Sequence, residues 1–270
     1  MILVTLLLAL GQQQQSPQQG PPAQAEAPVF ARARDPFVFR CVLDKRVRIV
    51  TLALSDELWA AYDTRTCGFY KAWKGGVKFD GAVYTTVHGP TPTSRGADYA
   101  KGLEGDVWVA RVGDQPSEAR AEWRGYRLEN GTCVLLYDVV LKDGRAIRVE
   151  ERPESLRSDQ VFKPEELEDW GLEPGLPGFV RRFRAPEVPT GVLVAVQVRT
   201  DAPRGRFIDA GGAAQEKLVD LKDGKGQVIA TEIHSLIWLD ANRKTNSLTQ
   251  FYDPIVLPAA ETKDAKGGAK

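Results

Sequence analysis

The chain has 270 residues, and its 36 lysines and arginines match its 36 aspartates and glutamates, for a formal net charge of zero. With no long lysine/arginine run, nothing in this balance favours a nucleic-acid or polyanion partner, although a local basic patch remains compatible with it. The length is enough to bury a substantial core, as one large β-domain or two packed halves.

The chain starts MILVTLLLALG and continues QQQQSPQQGPPAQAEAP. The apolar run is too short to span a bilayer and resembles the apolar stretch of a signal peptide, although no basic residue precedes it. The Gln/Pro tract that follows has the composition of a disordered segment. Residues 1–27 are therefore expected to be a signal-like and disordered leader. The protein is expected to be exported (periplasmic or extracellular), with no stable membrane insertion of the mature chain.

From residue 35 the pattern is β almost throughout. Residues 47–54, VRIVTLAL, alternate Val47, Ile49, Thr51 and Ala53 against Arg48, Val50, Leu52 and Leu54. Residues 58–62 and 67–73 are predicted to form a hairpin around Asp63-Thr64-Arg65-Thr66. Glycines 75, 76 and 81 are read as punctuation before a strand at 82–88, AVYTTVH, and His88 opens the loop HGPTPTSRG. Further strands are predicted at 106–112, around 123–128, at 132–141 and at 146–153, with a tight turn at Lys142-Asp143-Gly144-Arg145. Residues 155–177 break the rhythm, and Pro164-Glu165-Glu166 predicts a short helix ending near Gly171. Strands resume at 178–185 and 191–200 and continue to SLTQFYD, before a linker-like tail at 259–270. Many short strands with close turn signals predict an all-β fold. The expected architecture is a large antiparallel β-sandwich over 28–258, as one unit or two packed halves, with a short helical insertion.

The segments FVFRCVLDKRVRIVTLAL, LWAAYDTRTCGFYKAWKGGVKFDGAVYTTVHGPTPTSRG, RVEERPE and FVRRF resemble a β-rich module of large exported bacterial proteins. Those proteins also carry a c-type cytochrome domain or a quinone-dependent sugar-dehydrogenase-like propeller. The likeness spans roughly residues 35–257 and is most distinctive over 59–96. It implies a setting beside a sugar-oxidising or cytochrome-bearing partner, and carbohydrate as the ligand class. This chain has no CxxCH and so cannot attach haem in the usual covalent way.

The candidate ligand site lies in the aromatic-rich stretch 59–99. Rings interleaved with hydrogen-bonding groups suit a polar, ring-shaped ligand. Strand alternation places Trp59 opposite Tyr62 and Tyr70 opposite Trp73, so that one set faces the core and the other faces solvent or ligand. Stacking on Trp59, Tyr70 or Trp73 would combine with hydrogen bonds from Lys71, Asp80, His88 and Arg95. An alternative is a carbohydrate epimerase or lyase, with His88 or His234 as base and a carboxylate or Arg95 assisting. A third is a purely structural scaffold. Glu150 and Glu151 are adjacent on a strand and cannot flank one bond, so pairing with Arg181 or Arg182 across the sheet is expected instead. His234 shares a strand face with Glu232, but no third ligand is evident, and a polar sheet contact is expected there. No cofactor or metal is expected. Cys41, Cys67 and Cys133 have no metal or redox spacing; they are either buried small hydrophobes or include a Cys67–Cys133 bridge. Motifs for serine nucleophiles, zincins, P-loops and dinucleotide binding are all missing from the sequence.

Overall fold

A computed structural model describes residues 29–30, 37–87, 89–201, 203–208, 216–222 and 225–257. The leader (1–27), the tail (259–270) and His88 lie outside the described residues.

In chain order the strands are β1 (Val29–Phe30), β2 (Phe37–Leu43), β3 (Arg46–Ala53), β4 (Trp59–Asp63), β5 (Gly68–Lys78) and β6 (Thr93–Lys101). Then come β7 (Trp108–Val112), β8 (Gln115–Ser117), β9 (Ala119–Glu129), β10 (Thr132–Leu141) and β11 (Ala146–Arg157). Two short helices, α1 (Ser158–Val161) and α2 (Pro164–Asp169), precede β12 (Pro177–Arg184) and β13 (Val192–Arg199). The last strands are β14 (Gly205–Ile208), β15 (Glu216–Lys222), β16 (Val228–Asp240) and β17 (Thr245–Phe251). The all-β antiparallel expectation holds, but the strands form three sheets rather than two. The first has the order β1-β5-β4-β3-β2, with β6 also on β5. The second is β15-β16-β13-β7-β8, and the third is β14-β17-β12-β11-β10-β9.

One apolar core joins all three sheets. Val50, Leu52 and Tyr62 come from the first, Trp108, Val194 and Val196 from the second, and Leu135, Phe179 and Phe183 from the third. Trp108 lies 5.2 Å from the Tyr137 ring, and Phe69 lies 5.2 Å from Phe179. The alternation read in residues 47–54 is real, but both of its faces are buried. Val50 and Leu52 enter the shared core, while Ile49 and Ala53 enter a second layer with Leu43, Trp59, Trp73 and Val77. That layer is covered by Phe37, Phe39, Phe79 and Val83.

The connection after β5 differs from the expected strand. No strand occupies 82–87; this stretch runs beside β2, with Val42 N donating to Val83 O at 2.7 Å and Asp44 N to Pro92 O at 2.9 Å. Gly75 and Gly76, expected as breaks, are instead inside β5. Gly75 is the register partner of Gly96 in β6, and both have positive φ, 136° and 110°. A Cβ on Gly96 would lie 1.9 Å from Lys74 O, and one on Gly75 would lie 2.0 Å from Arg95 O. Two glycines are used because the backbones approach too closely for any side chain.

The insertion forms α1 and α2 on the connection between β11 and β12. Pro164 opens α2, Glu165 and Glu166 occupy its positive end, and Gly171 follows with φ of 62°. Leu167, Leu172 and Leu176 pack on Phe251, with Phe162 and Phe207 beside them.

Gly96→Ala is expected to cost more than about 2 kcal/mol, because backbone must move as well as φ strain. Gly113→Ala, where no atom lies within 4 Å, should cost about 1 kcal/mol. Urea unfolding of the two variants checks the difference.

Candidate functional site

The structure brings together only part of the site expected in 59–99. Trp59 and Trp73 are 0% and 1% exposed and stack on one another with ring centroids 5.8 Å apart. Neither offers a face to a ligand, so the sugar-stacking role expected of them is corrected to a packing role. Trp59 does point away from Tyr62, as alternation requires. Tyr70 departs from the rule: the β4–β5 register shifts between Ala61 and Tyr62, leaving Tyr70 as the extra residue of a bulge. It therefore lies on the same face as Trp73 rather than opposite it.

Lys71 sits at the centre of a saturated cluster. Its Nζ lies 3.0 Å from Asp44 Oδ2 and 3.2 Å from Asp98 Oδ1 and also donates to Ser94 Oγ, which uses the three N–H donors of an ammonium. The rings of Trp73 and Tyr70 lie 5.1 and 5.6 Å away. Tyr70 OH donates to Asp44 at 3.2 Å, and the Arg46 guanidinium covers its ring at 4.5 Å. Burial pushes the Asp44 carboxyl upward, but the Ser94 N–H and Lys71 outweigh it and hold the carboxyl below its usual range. The cluster ties β5 to β6 and to the β2–β3 turn. Asp80 pairs with Lys78 at 3.4 Å, and Arg95 is exposed on β6; neither joins the cluster. Asp44 and Asp98 were missed because only the fold brings a turn and a later strand to Lys71.

A second charged cluster is sealed in the shared core. Glu151 accepts from Tyr62 OH at 2.7 Å, Tyr137 OH at 2.6 Å and Arg181 Nε at 2.6 Å. The Glu151 and Arg181 side chains are 0% and 3% exposed. The Arg181 guanidinium also lies 5.0 to 5.7 Å from the rings of Phe183, Phe69 and Tyr62. Burial, together with the carboxylate, raises both phenols well above their usual range. Burial opposes the charge on Arg181, but Glu151 prevails and its pKa is raised. The expected pairing of the glutamates with Arg181 or Arg182 is thus present as Glu151–Arg181.

His234 makes the polar sheet contact expected of it. Its Nδ1 meets Gln197 Nε2 at 2.7 Å and its Nε2 meets Glu232 at 2.9 Å, while Glu232 also holds Arg199 at 2.6 Å. Both ring nitrogens are engaged. The three thiols are buried and none is in a disulfide, so the Cys67–Cys133 alternative gives way to buried small side chains. Burial pushes their pKa values up to about 11 for Cys41 and about 12 for Cys67 and Cys133. Among the described residues, no group of three or more His, Cys, Asp or Glu side chains could hold a metal.

An open polar groove lies elsewhere, on the outer face of the third sheet. A groove of about 490 Å³ is lined by Arg127, Arg152, Arg182 and Arg184, by Glu129 and Glu150, and by Asn130, Thr245, Asn246 and Ser247. Pleating puts it there: Glu151 and Arg181 point inward, so Arg152 and Arg182 point outward, and the two are direct register partners. Arg152 Nη2 reaches Glu129 at 2.9 Å, Arg182 Nε reaches Glu154 at 2.8 Å, and Glu150 lies between Arg127 at 3.2 Å and Arg184 at 3.4 Å. Asn130 and Gly131, both with positive φ, make the tight β9–β10 turn at one end. The individual arginines were visible in the sequence, but their meeting depends on a register between distant strands.

No protein-family model matches the chain, and no curated protein matches it in sequence.

Removing one partner of the core pair leaves an uncompensated buried charge. Arg181→Met is therefore expected to cost about 3–5 kcal/mol. The double variant Glu151→Leu/Arg181→Met should be more stable than Arg181→Met alone, a sign that a double-mutant cycle in urea reads directly.

Proposed function

We propose that the protein is an exported, non-catalytic accessory module that binds carbohydrate in the groove on the outer face of the third sheet. The observation that carries this reading is the groove itself. It is open, of ligand size, and lined by planar guanidinium and carboxylate groups with amide and hydroxyl side chains and with Val134 and Phe183. Planar groups already held by neighbours lose little freedom on binding, which favours recognition of a hydroxyl-rich surface.

Among the described residues, several groups that acid–base or nucleophilic catalysis would use are committed elsewhere, while His88 lies outside the described residues. His234 has both nitrogens engaged, Glu151 is enclosed by two phenols and a guanidinium, and the thiols are buried with raised pKa values. This supports binding over the epimerase or lyase alternative. The likeness to modules of exported sugar-oxidising or cytochrome-bearing proteins supports carbohydrate as the ligand class and such a protein as partner.

Affinity electrophoresis of the full chain through gels containing a panel of polysaccharides tests the proposal. Retardation by at least one polysaccharide is expected, reduced at least about tenfold in affinity by Arg182→Ala, which removes a donor from the groove floor. It should be unchanged in Arg95→Ala, an exposed residue of the first sheet. No retardation on any gel, or retardation unaffected by Arg182→Ala, would leave the groove as a solvated salt-bridge ladder and overturn the reading.

A further inference from the structure

We infer that the groove selects an acidic glycan, one whose sugars carry carboxylates; this rests on the carbohydrate-binding reading and names its ligand class. The argument comes from the balance of donors and acceptors. Four arginines and two glutamates line the groove, an excess of two positive charges there, and Glu154 beside Arg182 reduces the excess to one. The whole chain is formally neutral, so the excess belongs to this face.

The glutamates of the groove already serve the arginines through their Oε2 atoms. Glu150 serves Arg127 and Arg184, and Glu129 serves Arg127 and Arg152. The donors are not exhausted. Arg152 engages a side chain only through Nη2, Arg182 only through Nε, and Arg184 only through Nη1, so each keeps N–H groups that no described residue accepts. These side chains are 38%, 48% and 58% exposed, so the remaining N–H groups are open to a ligand. A ligand that fits must bring acceptors for these N–H groups.

Geometry narrows the acceptor to a planar one. Arg152 and Arg182 are opposite one another on adjacent strands, which sets their Cβ atoms about 5 Å apart. Like charges at that distance destabilise a sheet. A guanidinium fork rising from either position matches a carboxylate, which accepts paired N–H bonds in one plane. A neutral hexose meets these donors only with uncharged oxygens, which make weaker bonds to a guanidinium than a carboxylate does.

The test compares one sugar backbone with its charge present and removed. Binding of polygalacturonate and of its methyl ester to the full chain is measured by calorimetry, for the natural protein and for Arg152→Gln/Arg182→Gln. The expected result is at least about tenfold tighter binding of the acid than of the ester, as loss of a charge-assisted pair implies. The preference should fall to less than about threefold in the double variant, with its thermal midpoint confirming that it folds. Equal binding of acid and ester overturns the acidic-ligand inference and leaves the carbohydrate reading standing. Binding of neither, while neutral polysaccharides do bind, overturns the inference alone. Binding of no polysaccharide at all overturns both.

Discussion

Glu151 carries its carboxylate into a core that no water reaches, and the arrangement of two of the three sheets follows from how that charge is held. Tyr62 from the first sheet and Tyr137 and Arg181 from the third all donate to it. Desolvating such a pair costs several kcal/mol, which the three hydrogen bonds to Glu151 offset in part, while Arg181 Nη2 is left without a hydrogen-bond partner. All three donors reach Glu151 only when β4 and β11 keep one register and one facing, so the cluster constrains orientation. Pleating then carries the consequence outward. With Tyr62 inward, Trp59 must point to the far side of the first sheet, where it stacks on Trp73 beneath Phe39 and Phe79. With Glu151 and Arg181 inward, Arg152 and Arg182 must point outward and meet.

The two sheets therefore end in opposite conditions. Around Trp59 and Trp73 the first sheet is buried on both faces, and its polar residues Lys71, Asp44, Asp98 and Ser94 satisfy one another. The third sheet packs one face into the shared core; on its outer face the insertion covers the Phe251 end, and the part around Arg152 and Arg182 keeps guanidinium donors in excess. A site needs unmet hydrogen-bonding capacity in an accessible place, and the Arg152–Arg182 face has both. The richest aromatic stretch in the chain is thus largely buried, and the plainer charged strands carry the groove proposed to bind a ligand.

What could be read from the sequence divides along the same physical line. Alternation within a strand is local, so the two faces of residues 47–54, the hairpin at 63–66 and the helix opened by Pro164 were all visible in the sequence. A glutamate–arginine pairing between RVEERP and FVRRF was also legible, because these are recognisable strands of complementary charge, but only the fold selects Glu151 and Arg181. A bulge is not local information: nothing in GFYKAW announces that Tyr70 is the extra residue. Gly75 and Gly76 resemble a break until Gly96 is seen to face Gly75 across the β5–β6 ladder. The balanced composition disfavoured a polyanion, since an average over the chain hides a face on which three distant strands place arginines together.

One NMR titration tests the central claim, because it watches both surfaces in a single spectrum. Arginine Nε–H and tryptophan Nε1–H signals would be followed as polygalacturonate is added. The account predicts progressive shifts of Arg152 and Arg182, with the indoles of Trp59 and Trp73 unmoved. Shifts of those indoles with the groove arginines unmoved would contradict it and return the binding site to the 59–99 segment.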